Sequence, residues 1–222
     1  MVNISYLIFD LDGTLLDTLS DIAHSTNHAL KQNGFPAHPV ESYKKFVGNG
    51  INKLFERALP ENEKTEENIK RIRQTFIPYY DEHNTDYTKH YKGVRELIST
   101  LYSKGFYLGV ASNKYQTATE KLIKLFFPEI LFVAVYGQRE GKMPKPDPTI
   151  LFDALHEACL KPEDALYIGD SGVDMQTASN CGIVSIGVTW GFRSREELEA
   201  AGANYIVDNP EELLELILRI CC

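Results

Sequence analysis

Tyr6-Leu7-Ile8-Phe9-Asp10-Leu11-Asp12-Gly13-Thr14 joins a short apolar run to two carboxylates and a glycine. Val2 to Phe9 is rich in β-branched and aromatic residues, too short for a helix and bounded by Asp and Gly, which predicts a buried parallel strand. Open α/β sheets bind their ligands at the carboxyl ends of such strands. Side chains alternate along a strand, so an extended backbone through Leu11 would point Asp10 and Asp12 the same way. Two anions in one small space favour a cation between them or a retained proton. A hard cation such as Mg2+ takes oxygen ligands from carboxylates and phosphate together. Gly13 allows close backbone approach or a positive φ. Two other readings of D-x-D-G stay open here: a polar Asx-type turn, and a calcium loop, although no Glu closes such a loop twelve positions on.

The surrounding 222 residues, 43% hydrophobic and 24% charged, suffice for one large or two modest domains. A net charge of -8 argues against nucleic acid as a partner, because binding to its backbone needs clustered Lys and Arg. A small phosphorylated metabolite remains compatible, since a local cation or a metal suffices for it. Cys159, Cys181, Cys221 and Cys222 form no C-x-x-C pair and no metal-ligand spacing, and read as reduced thiols. No basic segment precedes a long apolar stretch, and no run approaches the ~20 apolar residues of a bilayer span. The expectation is a cytoplasmic protein with no membrane partner, with monomer and homodimer both open.

From Lys92 onward, apolar runs alternate with amphipathic stretches, as in a parallel sheet covered by helices. Strands are predicted at Phe106–Ala111, Phe132–Tyr136, Ala165–Gly169, Ile183–Val188 and Tyr205–Val207. Helices are predicted at Val94–Tyr102, Thr117–Leu125, Pro148–Cys159, Val173–Asn180, Arg195–Ala200 and Glu211–Ile220. Between the first strand and Lys92 there is no β pattern. Leu19, Ile22, Ala23 and Leu30 recur at helical spacing before Gly34 and Pro36; Ile51, Leu54, Phe55 and Ala58 form a second stripe; Ile69, Ile72, Phe76 and Tyr80 form a third behind Thr65 as N-cap. The expected fold is therefore α/β, a Rossmann-like parallel sheet built from residues 1–14 and 89–222 with an all-helical insertion over 15–88. An insertion beginning just behind the carboxylates is placed to act as a lid, or alternatively to pack as a layer on one sheet face.

Three further clusters stand at predicted strand ends. Ser112-Asn113-Lys114 supplies a hydroxyl and an amide able to donate to phosphate oxygens, although Ser is also a common N-cap. In Met143-Pro144-Lys145-Pro146-Asp147-Pro148, prolines on both sides stiffen the loop that carries Lys145; Asp147 would cap a helix starting at Pro148, and Lys142 competes for the role of Lys145. Leu166-Tyr167-Ile168-Gly169-Asp170 ends a strand on a carboxylate, with Asp174 in the first turn of the next helix, where the helix dipole alone also favours it. Asp10, Asp12, Asp170 and Asp174 then crowd one sheet edge without as many cations, an arrangement a divalent ion explains.

In this order, FDLDGTLLDT, VASN, KPDP and GDSGVD resemble the four motifs of the haloacid dehalogenase superfamily, and the likeness spans nearly the whole chain. An insertion between the first two motifs resembles the C1-capped subgroup, and Phe46-Val47-Gly48-Asn49-Gly50 is similar to the cap signature of the phosphoglycolate phosphatases. The resemblance implies a Mg2+-dependent phosphatase acting on a small phosphomonoester, with 2-phosphoglycolate one such ester. It implies Asp10 as the nucleophile that forms an aspartyl-phosphate, and Asp12 as general acid/base. Mg2+ would be held by the Asp10 carboxylate, the Asp12 carbonyl and Asp170, with Asp174 supporting the ion or Lys145, while Ser112 and Lys145 neutralise the phosphoryl group. Asn113 would join them, and Gly48, Asn49, Gly50, Lys53 and Arg57 would meet the rest of the substrate, with a solvated helix face as the other reading of Arg57. A phosphosugar mutase of the same superfamily and a non-catalytic phospho-ligand sensor are the alternatives. Dehalogenation is disfavoured, since dehalogenases lack an acid at the position of Asp12.

Overall fold

The computed structural model describes residues 4–221. Strand β1 (Tyr6–Phe9) lies at the centre of a six-stranded sheet with β4 (Tyr107–Tyr115), β5 (Ala134–Gln138), β6 (Ala165–Gly169), β7 (Val184–Val188) and β8 (Tyr205–Val207). The order is β5-β4-β1-β6-β7-β8 and every pairing is parallel. All four β1 residues are buried, and their period of two splits them between two cores. Leu7 and Phe9 pack with α5 (Val94–Ser103), α6 (Gln116–Phe126) and α10 (Pro210–Cys221); Tyr6 and Ile8 pack with α7 (Thr149–Ala158) and α8 (Gly172–Cys181). Burial of each such side chain contributes about 1.5–3 kcal/mol, which explains why a four-residue strand holds the middle of the sheet. The short α9 (Arg195–Ala200) closes the edge beside β7 and β8.

Between β1 and α5 the chain leaves the sheet. It runs through β2 (Leu16–Asp17), α1 (Leu19–Gln32), α2 (Tyr43–Phe46), α3 (Ile51–Ala58) and α4 (Glu66–His83), and returns through β3 (Lys89–His90). The three predicted apolar stripes meet in a core of their own, where Leu19, Leu30, Leu54, Phe55, Ile72 and Phe76 are buried together. Thr65 caps α4 by accepting from the Asn68 N–H at 3.2 Å. No helix among the described residues is long and apolar enough to cross a membrane.

Several local readings are corrected. β2 and β3 pair antiparallel, Leu16 with His90 and Asp17 with Lys89, in a stretch read as free of β structure; two residues are too short to display a period. β4 runs through Tyr115 rather than stopping at Ala111, with an irregular register against β5, so Ser112, Asn113 and Lys114 are strand residues. Pro148 precedes α7 instead of opening it, and Asp147 Oδ1 accepts from the Thr149 N–H at 2.9 Å. Val2 and Asn3 of the predicted first strand, and Cys222, lie outside the described residues.

Candidate active site

Where β1 ends, Asp10 turns into a pocket of ions. Lys145 Nζ lies 3.1 Å from Asp10 Oδ1 and 2.6 Å from Asp174 Oδ1, and also contacts the Ala111 carbonyl at 3.1 Å and the Tyr167 hydroxyl at 2.7 Å. The loop between β5 and α7 is held for this purpose by Asn113, whose Oδ1 accepts from the Lys145 N–H at 2.8 Å and whose Nδ2 donates to the Lys145 carbonyl at 3.1 Å. Lys142 instead pairs with Asp153 at 3.3 Å near the surface, so Lys145 alone of the two enters the cluster. Asp174 is fixed by a capping box at the start of α8: its Oδ2 accepts from the Ser171 N–H at 3.0 Å and the Ser171 hydroxyl at 2.6 Å.

Asp170 follows β6 and has no Lys or Arg ion pair among the described residues. Its Oδ2 accepts from the Phe192 N–H at 2.7 Å, and its Oδ1 lies 3.4 Å from the Thr14 hydroxyl. Glycines make room for it: a Cβ on Gly13 (φ 88°) or on Gly191 would collide with its carboxylate. Oxygens of Asp10, Asp170 and Asp174 all lie within 4.8 Å of one another.

Leu11 is a turn residue rather than a continuation of β1, and Asp10 and Asp12 nonetheless both face one cleft. The Asp12 carboxylate accepts from Thr18 Oγ1 at 2.7 Å and faces Lys114 Nζ at 2.8 and 3.0 Å, while still lining the same cleft as Asp10.

These contacts set the electrostatics. Burial pushes the Asp10 carboxyl up to about 6; Lys145 and a hydrogen bond from Ser112 oppose the rise, and Asp174 and Asp12 add to it. Burial, with Asp174 and Asp10 beside it, holds Asp170 well above the usual carboxylate range. Burial pulls Lys145 down, but Asp10 and Asp174 outweigh it and the net shift is upward, so the ammonium stays charged. Fully ionised, the four acids (Asp10, Asp12, Asp170, Asp174) would outnumber the two ammonium groups that touch them (Lys114, Lys145) by two. A buried excess of that size, presented on oxygen ligands alone, fits one divalent cation.

Above the acids lies a cleft of about 650 Å³, open to solvent. Gly48 and Gly50 line it, as expected, but Asn49, Lys53 and Arg57 do not. Arg57 donates to the Phe46 carbonyl at 2.9 Å and to Asn49 Oδ1 at 2.7 Å, bracing the α2–α3 turn, and Lys53 pairs with Glu56 at 2.6 Å on the exposed face of α3. The sequence reading missed Lys114, Tyr80, Phe192 and Arg193, all of which line the cleft. Lys114 directly follows the Ser112-Asn113 pair at the end of β4, where the irregular register lets Ser112, Asn113, Lys114 and Tyr115 all line the cleft. Phe192 and Arg193 follow the C-terminal end of β7, on the same side of the sheet as Asp10, Ser112 and Asp170.

Comparison with known proteins agrees with this arrangement. The haloacid dehalogenase-like hydrolase family matches residues 7–188. A Vibrio parahaemolyticus protein named phosphoglycolate phosphatase is 30% identical over 220 residues, covering 97% of this chain and 96% of the relative. The crystal structure of a predicted phosphatase from Clostridium acetobutylicum superposes with a TM-score of 0.88 at 32% identity, covering 97% of this chain and 99% of the other. That of a predicted phosphoglycolate phosphatase from Haemophilus somnus gives 0.89 at 27% identity, covering 98% and 99%. With its four acids spaced along one sheet edge and the match running from β1 through β7, the chain belongs to the haloacid dehalogenase-like hydrolases.

Proposed function

We propose that the protein is a Mg2+-dependent phosphatase that hydrolyses a small phosphorylated metabolite in the cytoplasm through an aspartyl-phosphate at Asp10. The observation that carries this reading is the buried trio Asp10, Asp170 and Asp174 beside Lys145, with Asp12 on the other side of the same cleft. An Asp10 oxygen attacks phosphorus as the ester P–O bond breaks, and the departing alkoxide takes a proton from Asp12. Water then attacks phosphorus, Asp12 takes its proton, and the Asp10–phosphate bond breaks to release inorganic phosphate. Lys145 and Ser112 lie against Asp10, where they offset charge on the transferring group. Mg2+ would be held by the carboxylates of Asp10 and Asp170 and the Asp12 carbonyl, with Asp174 behind them, and would draw charge from the phosphoryl oxygens.

Phosphate release from a panel of phosphomonoesters with Mg2+ tests the reading, and the names of the relatives put 2-phosphoglycolate in the first panel. Asp10→Asn should abolish release. Accumulation of an isomerised sugar phosphate would instead make the protein a mutase. A phosphorylated ligand bound but never consumed would make it a sensor.

A further inference from the structure

A helix as short as α2 leaves its last carbonyls without partners of its own, and two guanidinium groups take them. Arg57, from within the insertion, holds the Phe46 carbonyl at 2.9 Å. Arg193 reaches across from the loop after β7. Its Nη1 donates to the Lys44 carbonyl and its Nη2 to the Val47 carbonyl at 2.7 Å, while Nε lies 3.5 Å from Glu197.

The residues just before Arg193 pack around Asp170. Trp190 donates Nε1 to the Thr14 carbonyl at 3.0 Å. Gly191 lies so close that a Cβ there would meet the Asp170 carboxylate, and the Phe192 N–H donates to Asp170 Oδ2 at 2.7 Å. The Phe192 ring, in turn, packs on the apolar core of the insertion. One short segment therefore touches an acid of the site with its backbone and the insertion with its side chains. Other contacts keep the insertion attached without it: Asn113 donates to the Gly48 carbonyl at 2.9 Å, Tyr115 to Asp81 at 2.6 Å, and Lys121 to the Asp81 carbonyl.

We propose that Arg193 is a positioning residue. By seating the 44–47 turn on the sheet it fixes the Phe192 N–H against Asp170, so that docking of the insertion and binding of a divalent cation at the acids favour one another. The proposal rests on the metal-dependent phosphatase reading and adds to it a route by which the insertion acts on the acids. A metal-ligating carboxylate is oriented by the donors on its oxygens, and losing that orientation weakens the site. Coupling of this kind is reciprocal, so the cation must also steady the turn. Charge makes the sign of the effect diagnostic. Burial raises the Asp170 carboxyl and Arg193 is among the groups that oppose the rise, so the guanidinium acts there as a nearby positive charge. Removing a positive charge would by itself tighten cation binding, and the coupling requires the reverse.

Calorimetric titration with Mg2+ of the unmodified protein, Arg193→Met and Arg193→Lys tests this. Arg193→Met is expected to bind Mg2+ about 10-fold more weakly. Arg193→Lys keeps the charge but loses the planar fork that spans two carbonyls, and is expected to bind about 3-fold more weakly. Hydrogen exchange reads the other direction: Mg2+ should slow the amides of residues 44–50 at least about 3-fold in the unmodified protein and leave them unchanged in Arg193→Met. Unchanged or tighter Mg2+ binding in either folded variant, or no slowing in the unmodified protein, overturns the proposal and leaves the phosphatase reading standing. If the unmodified protein binds no Mg2+ and releases no phosphate, that reading fails and the proposal falls with it.

Discussion

Lys114 rests on Asp12, with Nζ 2.8 Å from one carboxylate oxygen and 3.0 Å from the other, and Thr18 completes the grip at 2.7 Å. The side chains of both ions are nearly buried, at 4% and 10% exposure, so each is the other's principal source of charge compensation. Lys114→Met should therefore destabilise the protein by about 3 kcal/mol, because it strands a carboxylate in the cleft. Adding Asp12→Asn should restore most of that loss, a non-additivity that urea unfolding of the two single variants and the double variant would read.

Asp10→Asn should remove activity and, in metal-free protein, raise stability. The folded-state carboxyl stands near 6, above its ordinary value of 3.8, because burial disfavours its charge. Its stabilising contribution is thus complete below about pH 4 and is lost as pH rises through 6, reaching a cost on the order of 3 kcal/mol at pH 8. Asparagine carries no such charge. Unfolding in EDTA should show the variant ahead of the unmodified protein at pH 8, with the gap nearly closed at pH 4.

Divalent-metal affinity should rise with pH across the same range, since binding requires the ionised form of Asp10. Calorimetric titration at pH 5 and pH 7.5 should show tighter binding at the higher pH, with proton release on binding near pH 6. A flat profile would separate Asp10 from the metal site.

Lys145→Met should lower kcat by at least about 10³-fold and cost about 3–5 kcal/mol, because Asp10 and Asp174 lose the ammonium between them. Lys142→Met, three residues earlier on the surface, should stay within about 0.5 kcal/mol and leave kcat unchanged. Steady-state kinetics and thermal unfolding of the two variants make the comparison.

Gly13→Ala should weaken metal binding about 10- to 100-fold, because the new methyl group meets the Asp170 carboxylate and φ is 88° there. Gly191→Ala approaches the same carboxylate with no positive φ to contend with. Similar losses of affinity by titration in both variants would assign the effect to the displaced acid rather than to backbone strain.

The strands and the strand-end acids were legible because a buried parallel strand writes itself as an uninterrupted apolar run; Asp10 and Asp170 stand where such runs stop, Lys145 in a proline-stiffened loop and Asp174 in the first turn of α8. The β2–β3 pair was not legible, as two-residue strands have no period to detect. Arg57 illustrates a different limit. A cation beside a glycine-rich turn suggests a ligand, yet its partners are the Phe46 carbonyl and Asn49, and only tertiary placement distinguishes the two. Tyr80 was identified as part of an apolar stripe, but its unpaired hydroxyl emerged only from its surroundings.

The central position of β1 has a consequence for how the protein is made. Tyr6 pairs with Tyr107 on one side and Ala165 on the other, and Asp10 depends on Lys145 and Asp174 for its surroundings. Asp10 is thus synthesised more than a hundred residues ahead of the partners that surround it. A nascent chain can hold Asp10 only as an ordinary, hydrated aspartate until α8 has emerged, so the buried cluster of acids and Lys145 is assembled only after the sheet's later strands and helices are in place.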